Sequence, residues 1–277
     1  ELDKKNQPEN IVFKTTKSSN KLIEEFMLLA NKKVAEKMRK SKESFVYRVH
    51  DQPDQEKLKN LQIVVKRLGY NLKLSSNELN DSLNSLLKKA LGKNEQNLID
   101  TLMIRSMSKA EYTTKNIGHY GLSFENYTHF TSPIRRYPDV MVHRLIQAEI
   151  DGEKIKTDET ETLCKHSTHM EILATKAERD SVKLMQIKFM KDKEGKTFDA
   201  VISGVVARGV FVEVIENKCE GLVKAKDLSG DFYVHDEKNH RFVGEKTGKK
   251  YQLGDKTRVM LIKADQIKKR LDFQVLT

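Results

Sequence analysis

Residues 191–206 read Lys191-Asp192-Lys193-Glu194-Gly195-Lys196-Thr197-Phe198-Asp199-Ala200-Val201-Ile202-Ser203-Gly204-Val205-Val206, and within them the apolar period changes from 3.6 to 2. Before this stretch, Leu163, Met170, Leu173, Ala177 and Leu184 recur at helical spacing up to about Met190, in a long helix that Asp158 would cap. After it, residues 198–206, 210–215, 221–224, 256–264 and 270–276 read as five short strands separated by Gly, Asn and Asp turns. Five strands in so short a segment predict a small closed barrel of the OB kind. A domain boundary therefore falls here, with residues 1–193 on one side and 196–277 on the other.

Upstream, Leu22, Ile23, Phe26, Met27, Leu29, Ala30, Val34 and Met38 mark a helix over 18–40, with Ser18 and Ser19 where an N-cap belongs. Further helices are expected over 55–68, 77–91, 95–112 and 137–150; Gly69 and Gly92 stand just past two of them, as C-terminal stops do. Residues 11–13 read as a strand after a turn at Lys5-Asn6-Gln7-Pro8. The expected fold is α+β, mostly helical first and all-β last.

The chain has 277 residues, 38% of them apolar, enough for real cores. Its 51 Lys and Arg against 40 Asp and Glu give +11, a balance that suits a polyanionic partner such as nucleic acid; a lysine-rich composition is the plain alternative. Two cysteines far apart, Cys164 and Cys219, argue against a disulfide framework or zinc ribbon and suit a reducing cytoplasm. No apolar run of the length that spans a bilayer occurs. The chain opens on Glu1-Leu2-Asp3 without an initiator Met, so a piece of a longer protein is expected.

The densest group of chemically useful side chains runs from Gly118-His119-Tyr120-Gly121 through Thr128-His129-Phe130-Thr131-Ser132-Pro133-Ile134-Arg135-Arg136-Tyr137-Pro138-Asp139. Two arginines, two imidazoles, hydroxyls and rings there precede a helix with Pro138 in its first turn. Such a loop can offer guanidinium forks to phosphate, hydroxyls to ribose and rings to bases. It can equally pair Arg135 and Arg136 with acids such as Asp139 and pack the imidazoles as core polars.

The run from His129 to Asp139, with His143-Arg144 one turn on, resembles the signature of the RNB exoribonucleases, the RNase II and RNase R family. Three further stretches match in order: Leu22-Ile23-Glu24-Glu25-Phe26-Met27-Leu28-Leu29-Ala30-Asn31, Arg48-Val49-His50-Asp51-Gln52-Pro53 and Ala177-Glu178-Arg179-Asp180. The resemblance covers nearly the whole chain. It implies 3′-to-5′ hydrolysis of single-stranded RNA to nucleoside 5′-monophosphates by water activated on Mg²⁺, in a cytoplasmic, monomeric enzyme. By position, Arg135 corresponds to the arginine that stabilises the scissile phosphate, where fixed positive charge meets charge redistributing over the phosphoryl oxygens. Glu178 matches a glutamate at the active-site end, and Glu24 one that holds the terminal nucleotides. Thr131, Ser132, Arg136 and Tyr137 are implied contacts either to RNA or to the residues that touch it.

One departure is an absence. Relatives hold Mg²⁺ with closely spaced aspartates upstream of all these motifs, and no such cluster occurs in residues 1–277. The expectation is half an active site that binds RNA without efficient cleavage, or, as the alternative, a non-catalytic RNA-binding or regulatory module. In addition, Lys17-Ser18-Ser19-Asn20 replaces an Asp-Ala-His run of relatives.

Residues 196–277 resemble an S1-type RNA-binding domain through Gly204-Val205-Val206, Gly209-Val210-Phe211-Val212 and Glu220-Gly221-Leu222-Val223. Phe198 and Phe211 match ring positions of the family's binding face, while Arg208 and Lys224 stand where relatives usually carry Phe and His, so charge replaces part of the stacking. Because residues alternate across a strand, Phe211 has core as its plain alternative. Two further patterns are weak. Cys164-Lys165-His166-Ser167-Thr168-His169 lacks a fourth zinc ligand, and no metal is assigned to it. The lysines of 246–250, with Gly244 and Gly248, lack a Walker spacing and read as an RNA-facing rim.

Overall fold

The computed structural model describes all residues except 42–43, 76–77, 94, 154–158, 229 and 277. In chain order the elements are α1 (Ser18–Lys40), β1 (Tyr47–His50), α2 (Gln55–Arg67), α3 (Leu79–Ala90), α4 (Gln96–Ser106), β2 (Ala110–Thr113), α5 (Tyr137–Asp151) and α6 (Thr160–Lys191). Eight strands follow: β3 (Thr197–Val206), β4 (Gly209–Val214), β5 (Glu220–Lys224), β6 (Tyr233–Asp236), β7 (Arg241–Gly244), β8 (Lys250–Gln252), β9 (Lys256–Asp265) and β10 (Arg270–Val275). Packing divides the chain into one unit of Glu1–Val12, Gln55–Ser106 and Glu178–Thr277 and another of Phe13–Asp54 and Met107–Ala177.

In the first unit, β10-β5-β4-β3-β9 close into a barrel in that order. Alternate residues point inward, so Phe198, Ala200 and Ile202 of β3 meet Val210, Val212 and Val214 of β4 and Leu271, Phe273 and Val275 of β10. Ile187 and Met190 at the end of α6 join this core. The turn into β4 requires glycine: Gly209 has φ +148, and a Cβ there would stand 2.1 Å from the Val223 carbonyl oxygen. The five barrel strands fall where the alternation places them. A separate antiparallel sheet, β6-β7-β8, was not expected, because three- and four-residue strands carry too little alternation to register.

The helices of this unit bury Leu58, Leu61 and Val65 of α2, Leu79, Leu83 and Leu86 of α3, and Leu98, Ile99 and Met103 of α4, with α4 packed against the other two. The helix expected over 95–112 stops at Ser106, whose hydroxyl donates to the Met103 carbonyl at 2.6 Å. Residues 110–113 are instead the strand β2. Residues 11–13 form no strand; the bridge near the N-terminus joins Leu2 to Pro8.

In the second unit, β1 and β2 pair antiparallel from Tyr47↔Thr113 to His50↔Ala110. Their core is Ala35, Met38, Phe45, Val46, Val49, Tyr112, Met141, Val142, Leu145 and Cys164. Only the later part of α1 is buried, through Asn31, Ala35 and Met38; Leu22, Ile23, Phe26 and Leu29 are each at least half exposed. Lys17, rather than Ser18 or Ser19, is the N-cap, and its N–H donates to Asn20 Oδ1 at 3.0 Å. Asp158 and Asn77, the expected first residues of two helices, lie outside the described residues.

Candidate nucleic-acid interface

The loop between β2 and α5 is shaped by side chains that reach it from β1, α1 and α5. His50 Nε2 donates to the Ser108 carbonyl (2.8 Å), which leaves Nδ1 to accept the Gly121 N–H at 3.0 Å. Gly121 is required there, since a Cβ would stand 2.9 Å from that same Nδ1. Arg48 forks onto Glu171 of α6 at 2.7 and 3.2 Å and lies over the Tyr112 ring, 4.6 Å from its centre. The Arg48-Val49-His50 motif therefore acts as scaffold.

Asn31 is the second fastening. Its Oδ1 accepts the N–H groups of Phe130 and Thr131 at 2.9 and 3.2 Å, and its Nδ2 donates to Tyr127 Oη at 3.1 Å. Sequence reasoning missed this role. The available signal was an asparagine inside the apolar stripe Met27-Asn31-Val34-Met38, where a buried polar group has to find partners.

Asp139, fully buried in the first turn of α5, is the third. Its Oδ1 accepts the Ser132 N–H at 2.7 Å and Arg136 Nη2 at 2.9 Å. Arg136 Nε stands 2.8 Å from Oδ2 in an ion pair that lacks the angle of a hydrogen bond. The guanidinium of Arg136 is thus held by Asp139 and braces the loop. Arg135, one residue earlier, is exposed and has no ion-pair partner among the described residues; its N–H donates to the Ser132 carbonyl at 3.3 Å. Ile134 is 99% exposed and Tyr137 46%. Thr131 Oγ1 is buried without a partner among the described residues, so its hydroxyl is free to engage a bound group.

The His119 and His129 imidazoles are neutral near pH 7. Burial first, then nearby Arg136 and Arg48, hold His129 down at about 3; burial, then His50, holds His119 at about 4. Burial likewise pushes the Tyr112 phenol up to about 12, so its hydroxyl donates to His129 Nδ1 at 2.8 Å. Neither imidazole is poised to move a proton near pH 7.

Glu24 is exposed on α1, seven residues before Asn31 and on the same helical face, about 10 Å along the axis. Glu178 is exposed on α6 in the first unit. On the barrel, Arg208, Phe211 and Lys224 come together: β4 and β5 pair Gly209↔Lys224 and Phe211↔Leu222, and the Arg208 guanidinium lies 5.6 Å from the Phe211 ring centre. Arg208 and Phe211 line a 310 Å³ depression together with Lys183, Lys268, Lys269 and Arg270. Phe198 is elsewhere. It points into the barrel core, 8% exposed, which corrects its assignment to the binding face: register on β3 puts even-numbered residues inward.

Burial pushes the Cys164 thiol up to about 12, and among the described residues no three His, Cys, Asp or Glu side chains converge as a metal site would need. The lysines expected to form a basic rim, Lys246, Lys249 and Lys250, are exposed, on a loop whose Lys246 and Thr247 N–H groups donate to Asp231 at 2.9 and 2.7 Å. No described helix is long and apolar enough to cross a membrane.

The family profile described as the RNB domain matches residues 1–152. The chain belongs to the RNB family. A second profile, the S1 RNA binding domain, matches residues 191–276 and so takes in the barrel; the helical RNB portion is followed by a five-stranded OB-like barrel. Among curated RNB proteins, Ribonuclease R of Aquifex aeolicus is 40% identical over 262 residues, 93% of this chain and 37% of that protein. Ribonuclease R of Thermotoga maritima is 35% identical over 280 residues, 98% of this chain and 39% of that one. The chain thus spans about two fifths of the length of these relatives. Mycoplasma genitalium RNase R, solved in complex with ribose methylated single-stranded RNA, superposes with a TM-score of 0.91 at 28% identity, over 99% of this chain and 44% of that one. Yeast Ssd1, described as a pseudonuclease, shares the fold at 24% identity with a TM-score of 0.64, over 80% of this chain and 29% of that one.

Proposed function

We propose that this chain is the RNA-holding C-terminal part of a processive 3′-to-5′ exoribonuclease of the RNase R kind. The enzyme hydrolyses single-stranded RNA to nucleoside 5′-monophosphates and works as a cytoplasmic monomer; residues 1–193 contribute to its catalytic domain and 196–277 form its S1-type anchor. The observation that carries this is the contrast between Arg135 and Arg136. Arg136 is spent on Asp139, while Arg135 projects, uncompensated, from a backbone pinned on both sides. A guanidinium with no ion-pair partner among the described residues, carried on a backbone set in advance, is what a scissile phosphate needs as water adds to phosphorus and the 3′-oxygen leaves. Thr131, Ser132 and Tyr137 lie beside Arg135 as RNA contacts; Glu24 holds the terminal nucleotides and Glu178 lines the active-site end. Arg208, Phe211 and Lys224 grip the strand upstream, combining stacking with charge.

Mg²⁺ is the family's cofactor by resemblance, and where bound it would supply activation of the attacking water. The described residues do not fit it: their carboxylates do not converge. The chain alone is therefore expected to bind RNA without shortening it. The test is 5′-labelled single-stranded RNA with Mg²⁺, scored for binding by anisotropy and for shortening by gel, with Arg135→Ala alongside. Binding that weakens with salt, without shortening, supports the reading. Shortening from the 3′ end that Arg135→Ala abolishes overturns the half-site account; no binding at all removes the RNA reading.

A further inference from the structure

A cavity of 710 Å³ opens where the start of α4 meets the β3–β9 side of the barrel, within the first unit. Its lining shares no residue with the depression beside Arg208 and Phe211. Cations reach it from three separate segments: Lys93 before α4, Lys249 and Lys250 at the entry to β8, and Lys256 and Arg258 on β9. Asp255 is the sole carboxylate among its described lining residues, and its Oδ2 accepts the Gln252 N–H at 2.9 Å. Lys93 donates to the Tyr70 hydroxyl at 3.0 Å, which in turn donates to Glu95 at 2.6 Å; the other cations have little to neutralise them. Lys250 and Lys256 have no ion-pair partner among the described residues, and Arg258 stands 3.9 Å from Asp199 with both side chains mostly exposed, a pairing of small worth.

The wall itself adds to the charge. Gln96 and Asn97, the first two residues of α4, line the cavity, so the positive end of that helix dipole lies at its edge. Thr257 adds a hydroxyl; Tyr251 lines the cavity too, but its ring is buried in the barrel core against Tyr233, with the Lys249 ammonium 5.1 Å from its centre. Four cations with little carboxylate around them, Lys93 at the edge, a helix N-terminus and a hydroxyl around one opening make a receptor for phosphate oxygens.

We infer that this cavity takes phosphate groups, as a second anchoring point for an RNA strand apart from the Arg208–Phe211 face. The inference rests on the RNA-binding reading above. The same chemistry would also accept free phosphates, so the test has two arms. In both, the whole 277-residue chain is compared with a K250Q/K256Q/R258Q variant, whose three side chains are exposed and whose fold is checked by circular dichroism and thermal unfolding. The first arm measures anisotropy of a 20-nucleotide single-stranded RNA between 50 and 200 mM salt. Loss of three phosphate contacts lowers the slope of log K against log salt by about 2, at roughly 0.7 per contact on single strands. The second arm titrates inorganic pyrophosphate into both proteins by calorimetry. A reduced RNA slope assigns the phosphates to the strand, and loss of pyrophosphate binding alone assigns them to free anions; either supports the cavity as a phosphate site. A folded variant with unchanged RNA slope and unchanged pyrophosphate binding overturns it. A wild-type chain that binds no RNA instead defeats the reading on which the inference rests, and the two failures are told apart by the wild-type titration.

Discussion

Arg136 and Asp139 lock together across one turn, the guanidinium holding both oxygens of a carboxylate that is fully shielded from water, while the neighbouring Arg135 has no such partner among the described residues. Two adjacent arginines of one motif therefore do different work, and substitutions should separate them. Arg136→Ala leaves a buried charge uncompensated and should cost about 3–5 kcal/mol of unfolding free energy. Arg135→Ala should change stability by no more than about 0.5 kcal/mol and weaken RNA binding. Urea unfolding and RNA anisotropy on both variants check this.

Asn31→Ala removes the acceptor shared by two backbone N–H groups. It should destabilise the second unit by about 1–3 kcal/mol and speed proteolysis of the 128–134 segment, read by mass spectrometry of limited digests.

Acid should loosen the same loop. His129 and His119 titrate near 3 and 4 in the folded chain and near 6.5 when unfolded, so in between the unfolded state binds more protons and stability rises with pH. The contribution is complete above pH 6.5 and is lost as pH falls toward 3. Urea unfolding at pH 7, 6, 5 and 4 should show this decline, and His129→Gln should flatten it.

Two of the barrel phenylalanines, Phe198 and Phe211, should diverge. Phe198→Ala empties core volume and should cost about 3–5 kcal/mol. Phe211→Ala should leave the barrel folded and weaken single-stranded RNA binding by about 1–3 kcal/mol, the worth of one stacked base.

Gly209→Ala places a methyl against the Val223 carbonyl and should prevent barrel closure, seen as loss of the β signal in circular dichroism.

The barrel was legible in the sequence because each of its strands carries its own alternation, and α1, α2, α3 and α5 because their apolar stripes span whole turns. The small sheet β6-β7-β8 was not, its strands being too short. Nor was the switch at Ser106, where a helical pattern runs on into residues that pair with β1 instead. For the site, sequence reached the loop and its residue types, while the allocation of partners was beyond it. Whether Arg135 or Arg136 takes Asp139 depends on an i,i+3 geometry fixed only when α5 starts at Tyr137. Likewise, Phe198 and Phe211 differ by strand register, which a ring's identity does not reveal.

The pinning of residues 130, 131 and 132 by Asn31 and Asp139 also has an entropic side. A phosphate that docks at Arg135 has one side chain to immobilise, at about 0.5–1.5 kcal/mol. Were those three residues mobile beforehand, ordering their backbone would add about 1–2 kcal/mol each to the cost of every encounter. Under the proposed processive action a new phosphate would dock at Arg135 each time the strand advances by one nucleotide, so that cost would recur at every step and a loop set in advance favours speed along the strand as well as grip.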